Sequence, residues 1–461
     1  MKEQAPREID QDRVHELTQR EEQRLEEHTP ESARLYRAAK ENLVAGVSSG
    51  YQAREPYPIY FTEGYGSKIL TVDGQELSDF HNAYGCMVQG HAHPVIVATI
   101  RERCAKGTQF GLATPDAITV ARRLADNFKL PKWRFVNSGS EATMDAIRIA
   151  RAFTGRDTVM KIFGSYHGHH DYVMVSTPMN YGDIGPRDDY ISAPFGGGIP
   201  QAVVDMTVPV PFNDAEAMER RLAKLAREDR TPACMIMEPA MMNIGVVLPE
   251  PGYLEAVREI TKRLGIVLIF DEVKTGICTA PGGGVERFGV VPDMVCLAKA
   301  LAAGLPSGAI GATDEIMALV EDWRVYQVGT YNGNPLSMAA ARANLEEVMT
   351  PDAYAHLDYL NDRLVGECDA ICAKYDFPGY TVGIRSKGCV DFATGRITDY
   401  ESFQKYQNGD LSELAWLYNF NRGVLMAPGR EEEWTLSIQH ADEDVDRYVA
   451  AFEELVRDVT A

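Results

Sequence analysis

Gly265-Ile266-Val267-Leu268-Ile269-Phe270-Asp271-Glu272-Val273 is an apolar run that ends in two carboxylates. Residues 266–270 leave no polar face, as expected of a strand covered on both sides, which is the habit of parallel sheets. The charges arrive at its carboxyl end, where open α/β sheets bind ligands. Working outward, similar runs occur at Arg134–Asn137, Thr158–Phe163, Cys234–Glu238 and Met294–Leu297, alongside Ile266–Phe270 itself. Amphipathic helical stretches separate them from about Ala92 to Glu347. This alternation predicts an α/β protein with a mainly parallel sheet covered by helices.

The flanks read differently. Residues 1–44, rich in Glu, Arg and Gln with sparse Val14, Leu17, Leu25, Leu35 and Leu43, predict an N-terminal arm of one or two surface helices. Residues 45–91 carry β-rich runs, Pro58-Ile59-Tyr60-Phe61 and Lys68–Val72, broken by the hairpin signal Asp73-Gly74. After the large domain (92–347), residues 348–461 hold a helical stretch, a β-like stretch at Gly383–Thr394 and a closing helix from Asp442. Together 45–91 and 348–461 are expected to form a smaller α+β domain.

Composition narrows the function. Of 461 residues, 45% are apolar and 25% charged, ordinary globular values. Acidic residues outnumber basic ones by 67 to 46, and a charge of −21 argues against nucleic-acid or anionic-membrane partners. Eight cysteines without a CxxC pair suit a reducing compartment. With no signal-peptide pattern and no apolar run near ~18 residues, the expected location is cytoplasmic.

Three segments carry chemistry. In Phe135-Val136-Asn137-Ser138-Gly139-Ser140-Glu141-Ala142 a strand meets a helix, and Ser138 with Glu141 fits a capping box. Free backbone N–H groups, Gly139 and the Ser140 hydroxyl would make a phosphate seat there, although an ordinary capped helix fits equally well. Asp271 could be a turn acid or a strand-end functional carboxylate. Lys299, in Met294-Val295-Cys296-Leu297-Ala298-Lys299-Ala300-Leu301, is a lone lysine in an apolar segment, either snorkelling outward or desolvated into a nucleophilic amine. His91 with His93, and His167 with His169 or His170, lack a third ligand at helical spacing, so no metal is expected. Phosphate seat, strand-end carboxylate and buried lysine together match the needs of pyridoxal 5′-phosphate: an anion site, a partner for the pyridine nitrogen and a Schiff-base lysine.

At that point a family resemblance emerges. Gly90-His91-Ala92-His93-Pro94, Asn137–Ala142, Tyr166-His167-Gly168, Glu238-Pro239, Phe270-Asp271-Glu272-Val273, Leu297–Lys299, Gly304-Leu305-Pro306 and Gly329-Thr330 occur in order. From about Val44 onward the chain resembles the class III, fold type I pyridoxal-phosphate aminotransferases, most closely the glutamate-1-semialdehyde aminomutase branch. The resemblance implies that Lys299 forms the internal aldimine and shuttles the proton, and that Asp271 holds the pyridine nitrogen protonated. It also implies that Tyr166 stacks on the ring, Val273 packs behind it, and Gly139 and Ser140 hold the phosphate. His167 would neighbour the cofactor, and Glu238 and Asn243 would line its oxygen side. Thr330 would reach the phosphate of a second subunit, so a homodimer with shared sites is expected.

The departures concern substrate. In Val47–Arg54 the aminomutase pattern carries a carboxylate-binding Arg where this chain has Gln52, and Tyr84 replaces a Trp. Gln cannot supply a charged bidentate fork. Arg54 would point to the opposite side of an extended segment, leaving Arg430, in Ala427-Pro428-Gly429-Arg430, as the cation for any carboxylate. The expectation is an aminotransferase acting between an amine or a β- or ω-amino acid and an oxo acid. The alternative is the aminomutase itself, an isomerase.

Overall fold

The computed structural model describes residues 8–429 and 433–461. Its centre is a seven-stranded sheet in the order Lys132–Val136, Gly308–Ala312, Met294–Leu297, Val267–Asp271, Cys234–Met237, Val159–Ile162 and Thr207–Val210. Gly308–Ala312 runs antiparallel to both neighbours and every other pairing is parallel. The expected strands lie within a residue or two of these limits. Two strands escape the pattern reading. Gly308–Ala312 is made of small residues around one Ile because its neighbours press on it: a Cβ on Gly311 would sit 2.5 Å from the Trp133 ring. Thr207–Val210 carries Pro209, which is tolerated because this strand is the sheet edge.

Helix Gly139–Thr154 lies across the sheet, burying Ala142, Ala146, Ile147, Ile149 and Ala150. Its axis therefore runs from the ligand end of the sheet.

Two smaller sheets complete the molecule. Phe61–Tyr65, Lys68–Thr71 and Glu76–Asp79 form an antiparallel meander to which Val424–Leu425 adds in parallel, so segments from both ends of the chain share one sheet. The first strand begins at Phe61 rather than Pro58, since Pro58 has no N–H to give a ladder. Gly383–Thr394 proves to be parts of two strands, Tyr380–Ile384 and Lys387–Asp391, with Trp434–Thr435 beside the second. Asp444, at the start of the closing helix Asp442–Val459, gathers Ser67, Ser78 and Lys68 of the meander.

The N-terminal arm is less peripheral than its sparse apolar pattern suggests. Val14, Leu17, Glu21 and Leu25 form one stripe of helix Gln11–His28, buried against helix Gly409–Asn421. Glu21 is tolerated in that stripe because Arg422 and Asn421 answer its carboxylate. Among the described residues no helix is long and apolar enough to cross a membrane, and all eight cysteines are unpaired.

Candidate active site

The carboxyl ends of the central strands open on a cavity of about 360 Å³, within the usual range for small-molecule sites. Strand Val267–Asp271 delivers Asp271 to its floor. The Val273 N–H donates to Asp271 Oδ1 at 3.0 Å, and His167 Nδ1 lies 2.7 Å from Asp271 Oδ2. Ser165 gives its only hydroxyl hydrogen to the Ile162 carbonyl at 2.7 Å, so the 2.8 Å contact between its Oγ and His167 Nε2 must be donated by the imidazole. Nδ1 and the carboxylate then share one further proton, an assignment made from this hydrogen-bond pattern. Burial pulls the His167 pKa below its ordinary value, with Asp271 opposing and Lys161 adding to the fall.

The turn Ser138-Gly139-Ser140 faces the same cavity. Ser138 Oγ accepts from the Glu141 N–H at 3.2 Å, while the Glu141 carboxylate accepts from the Asn137 N–H at 2.6 Å, one residue earlier than a capping box requires. Gly139 has a packing reason as well as the anion reason expected of it. A Cβ there would lie 2.9 Å from Val273 Cγ2. Across the turn, the His169 N–H donates to Ser140 Oγ at 3.1 Å, and Gly168, with φ of +99°, lets that loop close on Ser140.

Lys299 follows strand Met294–Leu297 with a left-handed φ of 45° and lines the cavity. Desolvation pulls its ammonium below the ordinary lysine range, with Lys274 pushing the same way and Asp271 opposing. Apolar surroundings are not what sets it apart. Lys161, Lys274 and Lys387 are all buried too. Lys161 aims Nζ at the carbonyls of Ser165, Val175 and Ser176, and Lys387 bonds Thr435 and Glu433, so both are structural. Access to the cavity separates Lys299 from those two.

Glu238 is buried, and burial followed by repulsion from Asp271 pushes its carboxyl up to about 7. Asn243 Nδ2 donates to both its oxygens at 2.9 Å, and the Met242 and Tyr166 N–H groups add 2.9 and 3.3 Å bonds. Glu272 points elsewhere, accepting from the Gly284 and Val285 N–H groups at 2.8 Å, and is a structural anchor. Tyr51, Tyr84 and Tyr166 form an aromatic wall, with Tyr51 5.8 Å from Tyr84 and 5.9 Å from Tyr166 between ring centroids. Tyr84 is presented by an unusual turn in which Asn82, Ala83, Tyr84 and Gly85 all have positive φ. Asn82 fixes it by donating to the Asp79 and Thr435 carbonyls at 2.7 Å.

Lys299, Asp271, Tyr166, His167, Gly139, Ser140, Glu238, Asn243, Val273 and Tyr84 thus meet around one cavity. Three expected residues do not. Gln52 sits in the short helical turn Gly50–Gln52, where its Oε1 accepts from the Ser48 and Ser49 N–H groups at 3.0 and 3.2 Å. Arg54 turns away, pairing with Glu413 and lying 3.3 Å over the Trp416 ring. Thr330 is exposed outside the cavity, its carbonyl accepting from Gln109 Nε2 at 2.9 Å. Arg430 lies outside the described residues. The sequence reading missed Lys274 and Tyr51, although Lys274 directly follows the Asp271-Glu272-Val273 motif. His91 pairs with Asp79 at 2.6 Å, and among the described residues no group of three or more His, Cys, Asp or Glu is gathered to hold a metal ion.

Comparison with known proteins identifies a family. The family "Aminotransferase class-III" matches residues 50–396. A glutamate-1-semialdehyde 2,1-aminomutase of Syntrophus aciditrophicus is 36% identical, covering 92% of this chain and 98% of its own. A variant glutamate-1-semialdehyde-aminomutase from Pseudomonas aeruginosa PAO1, solved in complex with PMP, superposes with a TM-score of 0.88 at 30% identity, covering 98% and 99% of the two chains. An omega-transaminase from Sphaerobacter thermophilus gives 0.87 at 30% identity, covering 93% and 98%. The residues present fit pyridoxal phosphate: an anion seat at a helix start, a buried strand-end carboxylate and a lysine opening on the space between them. With the match over residues 50–396 and this agreement of fold, the chain belongs to the class III aminotransferase family, fold type I enzymes that depend on pyridoxal phosphate.

Proposed function

We propose that this protein is an aminotransferase that moves an amino group between an amine or a β- or ω-amino acid and an oxo acid in two half-reactions. Bound in the cavity, pyridoxal phosphate supplies an electron sink for the pair left when the substrate's C–H bond breaks. The chain supplies everything else. The N–H groups at the start of helix Gly139–Thr154 and the Ser140 hydroxyl bind the phosphate. Asp271, steadied by His167 and the Val273 N–H, holds a proton on the pyridine nitrogen. Lys299, whose lowered basicity leaves more of its amine neutral, would take the proton from the substrate carbon and return it two bonds away, to the carbon on the far side of the substrate nitrogen. Tyr166 covers the ring, and Glu238 with Asn243 lines the oxygen side.

The observation that carries the transferase reading is at Gln52. Its amide caps its own turn, so the position that the aminomutase pattern gives to a carboxylate-binding arginine contributes no cation. Among the described residues no arginine lines the cavity. The second reading is the aminomutase, and the names of the sequence relatives support it better than they support a transferase. Incubation with alanine or glutamate and an oxo acid separates the two. Release of the donor's oxo acid supports the transferase, whereas conversion of glutamate-1-semialdehyde to 5-aminolevulinate without such release supports the isomerase.

The catalytic unit in this proposal is a dimer in which Thr330 completes the partner's phosphate site. Its support is an exposed apolar surface around it: Trp323, Tyr326, Val328 and Tyr331 are 72, 66, 55 and 63% exposed. Mixing Thr330→Ala with Lys299→Ala chains should regain part of the activity, because one site in each mixed dimer carries neither defect. Subunit exchange without regained activity would refute the shared site.

A further inference from the structure

Strand Val159–Ile162 lies between Cys234–Met237 and Thr207–Val210 and carries a lysine with no exposed surface. Lys161 Nζ donates to the carbonyls of Ser165, Val175 and Ser176 at 3.0, 2.7 and 3.3 Å. An ammonium has three hydrogens and a neutral amine two, so three acceptors favour the charged form. Burial pulls the pKa of this lysine down to about 7, with Glu238 opposing the fall. The three carbonyls belong to the two ends of one loop. Ser165 opens it, and Val175 with Ser176 closes it, where the Gly164 N–H also donates to the Ser176 carbonyl at 2.9 Å. Ser176 has a left-handed φ of 51°, and its carbonyl meets the same ammonium as that of Val175. Carbonyl oxygens gathered around one buried point repel one another unless a cation sits between them.

Between those ends stand the residues that face the cofactor space. Tyr166 lines the cavity and its N–H donates to Glu238. His167 bonds Asp271 through Nδ1, and its carbonyl accepts from Thr143 Oγ1 at 2.6 Å. Gly168 packs on Ser140. Lys161 is outside the cavity lining and bonds backbone alone. We propose that Lys161 is a positioning residue for the cofactor site. Its ammonium ties the two ends of residues 165–176 together, and so sets Tyr166 over the cofactor ring, His167 on Asp271 and Gly168 against the phosphate seat. The sheet itself does not need that ammonium, because the strand pairs with both neighbours through its backbone. The role rests on the dependence of the family on pyridoxal phosphate and holds equally for a transferase and an aminomutase.

The test uses Lys161→Met, which keeps an unbranched apolar stem and loses every donor, and Lys161→Gln, which keeps two N–H hydrogens without the charge. Absorbance titration of the full-length chain with pyridoxal phosphate gives the affinity. Visible circular dichroism of the saturated holoenzyme reports how the ring sits against Tyr166. We expect Lys161→Met to weaken binding roughly ten- to a hundred-fold, Lys161→Gln to weaken it less, and both to lower the ellipticity per bound cofactor. A lysine that only stabilised the fold would lower the melting temperature and leave the dichroism of the saturated enzyme as in wild type. Tyr166→Ala and the double variant complete a cycle. If Lys161 acts through the loop, the double variant should bind about three-fold or more tighter than the product of the two single losses predicts. Unchanged affinity and dichroism in Lys161→Met, or losses that simply multiply, would overturn the role. Failure of both Lys161 variants to fold would assign the lysine to the whole fold rather than to the loop, and would overturn it as well.

Discussion

Replacing Gly168 by alanine should damage the cofactor seat more than any other single methyl group placed in this loop. The new Cβ would lie 2.5 Å from Ser140 Oγ, 2.7 Å from Ser140 Cα and 2.9 Å from Ser140 Cβ. A hydroxyl can rotate away, but Cα is backbone at the first turn of helix Gly139–Thr154 and must move by several tenths of an ångström. Two costs add: about 1–2 kcal/mol for alanine at φ of +99°, and about 1–3 kcal/mol for the overpacked contact. The sum, about 2–5 kcal/mol, falls on the segment proposed to bind the phosphate, so affinity for pyridoxal phosphate should drop at least ~10-fold. Gly182→Ala is the control, because its φ is +66° with nothing within 4 Å of the added Cβ. It should lose only about 1–2 kcal/mol and keep its affinity. Thermal unfolding of the apoenzymes and absorbance titration with pyridoxal phosphate measure both quantities. If Gly168→Ala matched Gly182→Ala in both, the close packing of this loop on Ser140 would have no energetic meaning.

Three further expectations follow from the same geometry. Lys299→Ala should abolish turnover, and borohydride reduction of the wild-type holoenzyme should label Lys299; a label on Lys274 or Lys161 would refute the assignment. Asp271→Asn should slow the half-reaction by orders of magnitude, since it removes the charge that His167 and the Val273 N–H hold in place, and a rate within a few-fold of wild type at saturating cofactor would make Asp271 structural. Asp444→Asn should lower stability at neutral pH, because desolvation is outweighed by His440, Lys68, Ser78 and the Ala441 N–H, which hold the Asp444 carboxyl down at about 2. A depressed carboxyl stabilises the fold above its unfolded value, and that contribution is lost as pH falls toward 2, so the gap between variant and wild type should close below about pH 4. A gap that persists to pH 2 would contradict it.

Most of the sheet and the core of the site were legible because their signals are local. Val267–Asp271 announces itself by four apolar residues and a carboxylate, Ser138–Glu141 by cap chemistry, and Lys299 by its setting after Met294–Leu297. What escaped depends on distant residues. Gly308–Ala312 is shaped by Trp133, and nothing in a run of glycine and alanine says so. Arg54 reads as a cation facing away from the site, but nothing in the sequence says that Glu413 and Trp416 hold it there. Lys274 goes unnoticed after its strand, and its ion pair appears only when Glu433 arrives from the far end of the chain. An apolar neighbourhood also marks more lysines than Lys299, since Lys161 is as buried as any lysine here and donates only to carbonyls.

The parallel pairing of Ser78 with Val424 has a consequence for biogenesis. Every strand of the central sheet, with Ser140, Asp271 and Lys299, has been synthesised once Ala312 leaves the ribosome, whereas the meander then still lacks its fourth strand. At ~5–20 residues per second the remaining chain takes on the order of ten seconds. During that interval the nascent protein has every strand of the central sheet but not yet the strand that pairs with Ser78, and Lys274 has yet to meet Glu433. Such late, long-range closure is the step at which folding is slowest and apolar surface most exposed. Early capture of the cofactor by the half-made chain would favour the native arrangement before the two ends of the polypeptide meet.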